Sequence, residues 1–335
     1  MLRFVVRRLL LLVPVLFGLT VMMFIIARLL PGDPVGLAAG PNATQAEIAA
    51  YAAEFGMDQP LIVQYWTYAT GLLQGDFGRS IFTRRAVLDD LIAYLPATLE
   101  LVFAAMAFAI LVGIPAGLAA AVWRNRWPDY AGRVAALAAI SMPRFFLGLL
   151  LQLTFAMWLY MLPLGGRFPI ILDPPPFVTG FLTLDALFAG DLEAFYTAWR
   201  HLALPALAMS LSPLATIMRM MRASTIEVLQ QDYVMTARAL GLPPRLIVFK
   251  YVAKNAVSAT LTVIGLYFGW LLGGTVLVET VFDWPGIGLY ATSAIVSQDF
   301  MPVIGVALVI GLLFVLVNLL VDVLYGVINP KVRNG

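Results

Sequence analysis

Residues 97–122 read ATLELVFAAMAFAILVGIPAGLAAAV, a run of 26 residues with one charged side chain, Glu100. A helix needs about 20 mostly apolar residues to cross the hydrocarbon core of a bilayer, so this run predicts a membrane-spanning helix. The rest of the chain has the same character: 61 % of its 335 residues are hydrophobic, 12 % are charged, and the mean hydropathy is +0.91. This composition is typical of polytopic membrane proteins and excludes an ordinary soluble domain.

Five further apolar runs resemble the first in length. The six predicted spans cover residues 9–30, 97–122, 136–162, 202–221, 257–281 and 302–326. The earliest run is longer than the ~7–15 residues of a signal-peptide core, so we expect it to be retained as a span. The predicted fold class is an all-α membrane protein with six transmembrane helices.

The basic residues predict the orientation. With the N-terminus in the cytoplasm, 14 of the 21 Lys and Arg residues fall in cytoplasmic segments, as the positive-inside rule requires. Both termini are therefore predicted to be cytoplasmic. The chain divides into an N-terminal segment with the first span (1–30), an external region of amphipathic helices (31–95) and a core of spans 2–6 (96–335). The core contains an external loop (163–200) and a cytoplasmic loop (222–256).

The long external segments contain helix signals. Thr44 and Glu47 have the spacing of a capping box and predict a short amphipathic helix. A second helix is predicted over Gln59–Gly75, where a glycine closes the pattern. Residues 163–200 are expected to form an irregular loop followed by an interfacial helix that ends near Trp199.

The signatures of several enzyme and carrier classes are missing from the sequence. There is no Cys and a single His, so neither a thiolate metal site nor a His cluster can form. None of the three Lys residues lies in a P-loop, and no G-x-S-x-G or H-E-x-x-H motif occurs. The predicted spans hold few ionisable residues, which disfavours ion coupling. A channel, a structural or assembly subunit, and a transport subunit driven by another polypeptide remain.

The cytoplasmic stretch Asp232–Ala256 reads DYVMTARALGLPPRLIVFKYVAKNA. We expect a helix that begins at Asp232 and is capped by its carboxylate, a left-handed residue at Gly241, and a second helix whose first turn holds Pro243 and Pro244. The small residues around this bend suit insertion into a groove on a partner. The alternative is an ordinary basic connection that lies on anionic lipid.

Five motifs along the chain resemble those of one transporter family. They are LPGDP, LGLLLQLTFA after SMPRF, DYVMTARALGL, VETVFDWPGIG and NLLVDVLYGVINPKVR, in this order. Together they resemble the permease subunits of binding-protein-dependent ABC importers, in the dipeptide/oligopeptide/nickel branch. The resemblance covers essentially the whole chain, implies the ABC type I importer permease fold, and identifies the cytoplasmic stretch as similar to the EAA loop of that family.

The resemblance implies that this loop couples the chain to a separate ATPase. The residues expected at the coupling site are Thr236, Ala237, Arg238, Ala239, Leu240, Gly241, Leu242, Pro243 and Arg245. The implied partners are a second homologous permease subunit, two ABC ATPase subunits that bind ATP and Mg, an extracytoplasmic substrate-binding protein and membrane lipid, but no nucleic acid. No catalytic residue, metal or cofactor is expected in this chain, and the implied location is the bacterial inner membrane.

Further candidates concern the translocation path or its gate. Arg144 either meets the carboxylate of a peptide in the path or snorkels to the inner interface. Asn318 and Asp322 share a helix face, where they line the path or form an inter-helix hydrogen bond near the cytoplasmic end. Asp283 and Trp284 lie in a turn that forms part of an outer gate or anchors at the membrane interface.

The resemblance implies a peptide or a peptide-like molecule as the solute. Dipeptides and longer peptides fit this reading, and nickel or glutathione import is the alternative. The rivals from other classes are a channel or structural subunit that is not coupled to ATP, and an ion-coupled carrier.

Overall fold

The computed structural model describes residues 2–29, 44, 46 and 59–328. The helix predicted after Thr44 and the LPGDP motif therefore lie outside the described residues. The helices are α1 (Leu2–Leu29), α2 (Leu61–Leu73), α3 (Val87–Val122), α4 (Trp127–Ser141), α5 (Arg144–Leu151), α6 (Leu182–Phe188), α7 (Leu192–Leu229), α8 (Asp232–Ala239), α9 (Pro244–Leu246), α10 (Lys254–Gly273), α11 (Val276–Val281), α12 (Ile287–Val296) and α13 (Phe300–Ile328).

The described part of the chain is almost entirely helical. Helices α5 and α9 continue as the π-helical segments Gln152–Trp158 and Ile247–Ala253. Over the described ranges no strand forms, and the extended pairing there is one isolated bridge between Arg79 and Ala86. The predicted all-α class is confirmed, and so is the helix predicted over Gln59–Gly75, which the structure has as α2.

Within the described residues, four helices are long and apolar enough to cross a membrane. They are α3, α7, the continuous helical run Pro244–Gly273 and Phe300–Val321 of α13. Helices α4 and α5 pass the same test together as a fifth span, although their axes are bent by 107°. Helix α1 has 28 residues, and its described apolar part, Leu10–Ile26, is shorter than the other spans. The count of six spans and the cytoplasmic position of the termini stay predictions.

The third predicted span, 136–162, is wrong as one continuous run. The helix stops at Ser141 and restarts at Arg144, and Met142 between them has an extended backbone (φ −96°, ψ 132°). Pro143 is the cause, because its ring disfavours the helical conformation of the preceding residue and it has no amide hydrogen to donate.

Two other predicted boundaries are wrong. The fifth span, 257–281, ends at Gly273, and its last six residues form the separate helix α11. The interfacial helix predicted to end near Trp199 is the first part of α7, which continues without a break for 38 residues. Arg200 and His201 are tolerated inside α7 because Arg200 donates to the Met161 carbonyl at 2.7 Å and Nδ1 of His201 lies 3.0 Å from the Gly165 oxygen.

Helices α3 and α7 lie side by side and form the centre of the fold. Glycines on α3 permit this close packing, since a Cβ added to Gly117 would lie 2.5 Å from the Met218 carbonyl oxygen. Helix α4 packs on the same pair through Ala136, and α10 packs between α7 and α13. Helix α1 packs on α13, with Leu19 against Gly311.

A buried ion pair marks the end of the bundle that carries the basic loop. Asp129 of α4 is fully buried and accepts two hydrogen bonds from Arg222 of α7, at 2.7 and 2.9 Å. Asn125 donates its backbone N–H to the same carboxylate, and Arg133 approaches it to 3.5 Å. Following the predicted orientation, we call this the cytoplasmic end and the opposite one the external end.

Candidate functional site

The loop between α7 and α10 is a helix, a bend and a second helix. Helix α8 ends in a Schellman motif, in which Leu242 N–H donates to the Ala237 carbonyl at 3.2 Å and Gly241 N–H donates to the Arg238 carbonyl at 3.0 Å. Gly241 has the left-handed φ of +73° that this motif requires and that glycine adopts without strain. The predicted bend is therefore confirmed, together with the reason for its glycine.

The two ends of this bend differ from the prediction in detail. Asp232 is the first helical residue and does not act as the cap; the capping position is Gln231, which makes no side-chain capping bond. The Asp232 carboxylate still lies in the first turn, where it is favourable toward the helix dipole. Pro243 precedes the second helix and Pro244 begins it, at the position where a missing N–H costs nothing.

A small apolar cluster holds the loop together. Val234, Ala237, Ile247 and Val252 are buried against one another, and Leu242 packs on them. Ala237 is only 4 % exposed, so it belongs to the interior of the loop and not to its outer surface. Leu242 and Ala237 are also the pair whose contact normally accompanies a Schellman motif.

The other predicted coupling residues form the outer surface of the bend. Leu240 at the tip is 74 % exposed. We define the coupling surface as the exposed members of the predicted set, which are Thr236, Arg238, Ala239, Leu240, Gly241, Pro243 and Arg245. Tyr233 and Met235 are exposed beside it and were missed by the sequence analysis. The signal that identifies them is the helical period: Val234 and Ala237 point inward three residues apart, so the two residues that flank Val234 point outward.

The loop also packs on the ends of the long helices. A cavity of about 450 Å³ separates it from α3 and α7, and Arg238 is the charged side chain in its lining; the lining residues are Val122, Leu229, Arg238, Leu242, Pro244, Ile247 and Val248. On the other side, Asn255 of α10 donates to the Tyr233 hydroxyl at 2.9 Å. The loop thus contacts the end of α7 and the beginning of α10, and it faces α3 across the cavity.

Arg144 lies far from this loop. Its guanidinium is 5.5 Å from the centre of the Trp270 ring and packs on Gly274, at the end of α10 that is remote from the loop. The 20 residues of α10 span about 30 Å. The structure therefore does not place Arg144 at the inner interface, as the snorkelling alternative requires.

Trp284 is buried in the core and is not an interfacial anchor. It is 1 % exposed, and its indole N–H donates to the Ala97 carbonyl at 2.9 Å. Asp283 beside it is exposed and has a left-handed φ of 49°. Both residues belong to the turn between α11 and α12, which forms a hairpin (residues 276–296) packed on the external end of α3.

Glu279 organises this hairpin and was missed by the sequence analysis. Its buried carboxylate accepts from the Thr98 hydroxyl at 2.7 Å and from Leu289 N–H at 3.0 Å. The glycines of the WPGIG segment permit this arrangement, because a Cβ on Gly286 or Gly288 would lie 2.5 or 2.8 Å from Oε2 of Glu279. In the sequence, the one glutamate and two glycines of VETVFDWPGIG were the signal for this buried carboxylate.

A second carboxylate network joins the external loop to α3. Glu100 is buried and accepts from Arg167 Nε at 3.1 Å, and from the hydroxyl and backbone N–H of Thr183 at 2.6 and 2.8 Å. Within the loop, Asp185 accepts from Thr179 and Gly180. Burial opposes the ionisation of Asp185, but these hydrogen bonds outweigh burial and hold its pKa below the ordinary value.

The last pair of path candidates lies on α13. Asn318 is half-buried there. The side chain of Asp322 lies outside the described residues, so the predicted pairing of the two stays a prediction.

Comparison with known proteins identifies the family. The model for the inner membrane component of binding-protein-dependent transport systems matches residues 113–334, and the model for the N-terminal part of such components matches residues 1–102. The chain belongs to this family. It is thus a multi-pass permease of the bacterial inner membrane, as the five motifs predicted.

Relatives of known description cover nearly the full chain. The chain is similar to the probable D,D-dipeptide transport system permease protein DdpB of Escherichia coli, with 47 % identity over 97 % of this chain and 95 % of the relative. It is 43 % identical to the di/tripeptide transport system permease protein DppB of Pseudomonas aeruginosa, over 100 % and 99 % of the two chains. It is also 40 % identical to the glutathione transport system permease protein GsiC of Salmonella choleraesuis, over 99 % of each chain.

Proposed function

We propose that this permease is one of two homologous membrane subunits of an ATP-driven importer of small peptides. The relatives that match over nearly their full length are described as permeases for D,D-dipeptides, for di- and tripeptides and for glutathione. All three solutes are short peptides or peptide-like molecules with free carboxylates. Among these, dipeptides are the proposed class, and glutathione, named for the GsiC relative, is the alternative.

The coupling surface is the observation that carries the proposal. Its tip is exposed and partly apolar, its backbone is fixed by a complete Schellman motif, and its base packs on α7 and α10. An exposed apolar tip on a well-ordered base is suited to a partner's groove. The proposed partner is an ABC ATPase, which binds ATP and Mg outside this chain.

The proposed mechanism is alternating access driven from this surface. ATP closes two ATPase subunits, and their movement is transmitted to the two permease subunits through their loops. ATP drives such a change only if the contacts at the coupling surface differ between the open and closed ATPase pair. The path then opens outward to accept solute from an extracytoplasmic substrate-binding protein, and hydrolysis returns it to the inward-open state.

Reconstitution tests the proposed function. The chain would be co-expressed with the second permease and the ATPases encoded beside it, placed in proteoliposomes, and supplied with the neighbouring substrate-binding protein. Uptake would be measured for radiolabelled L-alanyl-L-alanine, D-alanyl-D-alanine and glutathione. We expect uptake of a dipeptide that requires both ATP and the binding protein.

Two results would contradict the proposal. Uptake by this chain alone in proton- or sodium-loaded vesicles would establish an ion-coupled carrier. Passive flux of solute through the assembled complex, unchanged by ATP, would favour a channel.

A further inference from the structure

Arg144 lies at the break of a discontinuous membrane-spanning helix. Helix α4 begins beside the buried Asp129–Arg222 pair and has 15 residues, about 22 Å, so the break lies in the external half of a hydrocarbon core of about 30 Å. The backbone at Met142 and Pro143 is non-helical and exposed. Non-helical backbone at membrane depth is tolerated where it contacts protein or water, and discontinuous helices mark the solute sites of many transporters.

Arg144 differs from Arg167 and Arg222, the two arginines that form buried ion pairs. Arg167 is paired with Glu100, and Arg222 is paired with Asp129. Among the described residues no carboxylate lies within ion-pair distance of Arg144, and its side chain is half-exposed. A cation at this depth is costly unless it faces water or an anion.

Aromatic residues hold the guanidinium in place without neutralising it. It lies 5.5 Å from the centre of the Trp270 ring, and the phenol of Tyr267 is close enough to interact with it electrostatically. Gly274 is required for this position, because a Cβ there would lie 2.5 Å from Arg144 Nη1. The C-terminal end of α10 is also nearby and favours a cation, but a helix end carries only a fraction of one negative charge.

The face of α10 that borders Arg144 is exposed. Its exposed residues recur every three or four positions and are Ala259, Thr262, Leu266, Trp270 and Gly273. Asn255 continues this face at the loop end, about 22 Å from Trp270, where it donates to the Tyr233 hydroxyl. Arg144 thus lies at the edge of a helix face that the described residues leave open.

We propose that Arg144, held on Trp270 beside Tyr267, binds the free carboxylate of a peptide as it passes through the path. The guanidinium is the side chain best suited to a carboxylate, which it binds through two parallel N–H donors. This inference rests on the proposed function and specifies a chemical feature of the solute. The permease itself, and not only the binding protein, then selects for a free C-terminal carboxylate.

The test compares two forms of one peptide. The dipeptide that the wild-type complex imports and its C-terminal amide would each be supplied at saturating concentration with the binding protein, and the ratio of the two uptake rates would be measured. Loss of one charged hydrogen-bonded contact in Arg144→Gln should lower the acid-to-amide ratio by roughly 10- to 100-fold. Arg144→Lys should retain part of the preference, because it keeps the charge without the planar fork.

Arg200→Gln is the matched control. It removes another arginine that has no carboxylate partner among the described residues and that contacts the Met161 carbonyl and, at 5.7 Å, the Tyr196 ring, and it should leave the ratio unchanged. A ratio that is equal in wild type and Arg144→Gln overturns the inference, even if both uptake rates fall, because equal losses indicate a structural role. If the wild-type complex imports neither form, the proposed function fails, and the inference fails with it.

Discussion

The two ends of the bundle are held together differently. At the external end, buried carboxylates join the external loop and the hairpin to α3. At the cytoplasmic end, a small apolar cluster holds the loop together and leaves its bend exposed. Glu100 and Glu279 each accept hydrogen bonds from residues distant in sequence. Among the described residues the coupling surface makes no such connection, and the contacts of its base are local or with helix ends. The first arrangement fixes one conformation, and the second presents a surface for a partner.

The largest expected effect is on the external network. Arg167→Ala leaves the Glu100 carboxylate buried without its cation, which should lower the free energy of unfolding by about 3–5 kcal/mol. Thermal unfolding of the detergent-purified protein measures the change. Arg85→Ala is the control, because its side chain is 61 % exposed and solvent screens its 3.4 Å contact with the buried Asp90, which keeps hydrogen bonds from the Thr83 and Tyr290 hydroxyls; loss of such a screened cation should cost about 0–1 kcal/mol. Equal losses in the two variants would show that burial of Arg167 adds nothing to its ion pair with Glu100.

A smaller effect separates the interior of the loop from its surface. Ala237→Leu overpacks the apolar cluster and should destabilise the loop by about 1–3 kcal/mol, detected by faster hydrogen exchange of α8. Ala239→Leu adds the same side chain on the exposed face and should change stability by less than about 0.5 kcal/mol. Both variants should lose ATP-driven import, for different reasons. Normal import by Ala239→Leu would exclude that face from coupling.

Two glycines with the same backbone conformation, one at each end of the bundle, separate an effect on stability from an effect on coupling. Gly241 has φ +73° and Gly190 has φ +70°, and a Cβ at either would meet no atom within 4 Å. Alanine at either position should therefore lower the free energy of unfolding by about 1–2 kcal/mol, because alanine is strained in the left-handed conformation. Only Gly241→Ala should reduce ATP-driven import, because Gly190 lies at the external end. Equal import by the two variants would mean that the shape of the bend does not matter for coupling.

The smallest expected effect is a pH dependence at the external end. Because the folded pKa of Asp185 is lowered, its contribution to stability is fully present above the unfolded value of about 3.9 and is lost as the pH falls through the folded pKa. Below about pH 4, thermal stability should therefore fall more steeply in the wild type than in Asp185→Asn. An identical pH dependence of thermal stability in the two proteins would show that the ionised Asp185 does not stabilise the fold.

Local features of the fold were predictable from the sequence. Hydropathy located the four helices that the structure has as long enough to span, and Gly241 and Pro244 predicted the bend, because glycine and proline have backbone preferences that act without tertiary context. Pro143 was the same kind of signal for a helix break, but the apolar run continues across it and was read as one span. Likewise, a helix end was predicted near Trp199, but Arg200 and His201 find carbonyl partners and the helix continues.

Long-range features were not predictable. Glu100 meets Arg167 and Thr183, which lie 67 and 83 residues away, and no periodicity links such positions. Ala237 was assigned to the coupling surface because small residues suit a close contact, yet the same property suits the interior of a loop. Only the three-dimensional packing distinguishes these two roles.

Photo-crosslinking from the bend tests the central claim most directly. The chain has no cysteine, so single cysteines can be introduced at Ala239, at Leu240, at the buried Ala237 and at the exposed external Ala189, and labelled with a maleimide benzophenone. In the assembled complex, the probes at Ala239 and Leu240 should crosslink to the ATPase, Ala237→Cys should label poorly, and Ala189→Cys should label without an ATPase product. Full labelling at Ala239 and Leu240 with no ATPase product in an intact complex would contradict the account.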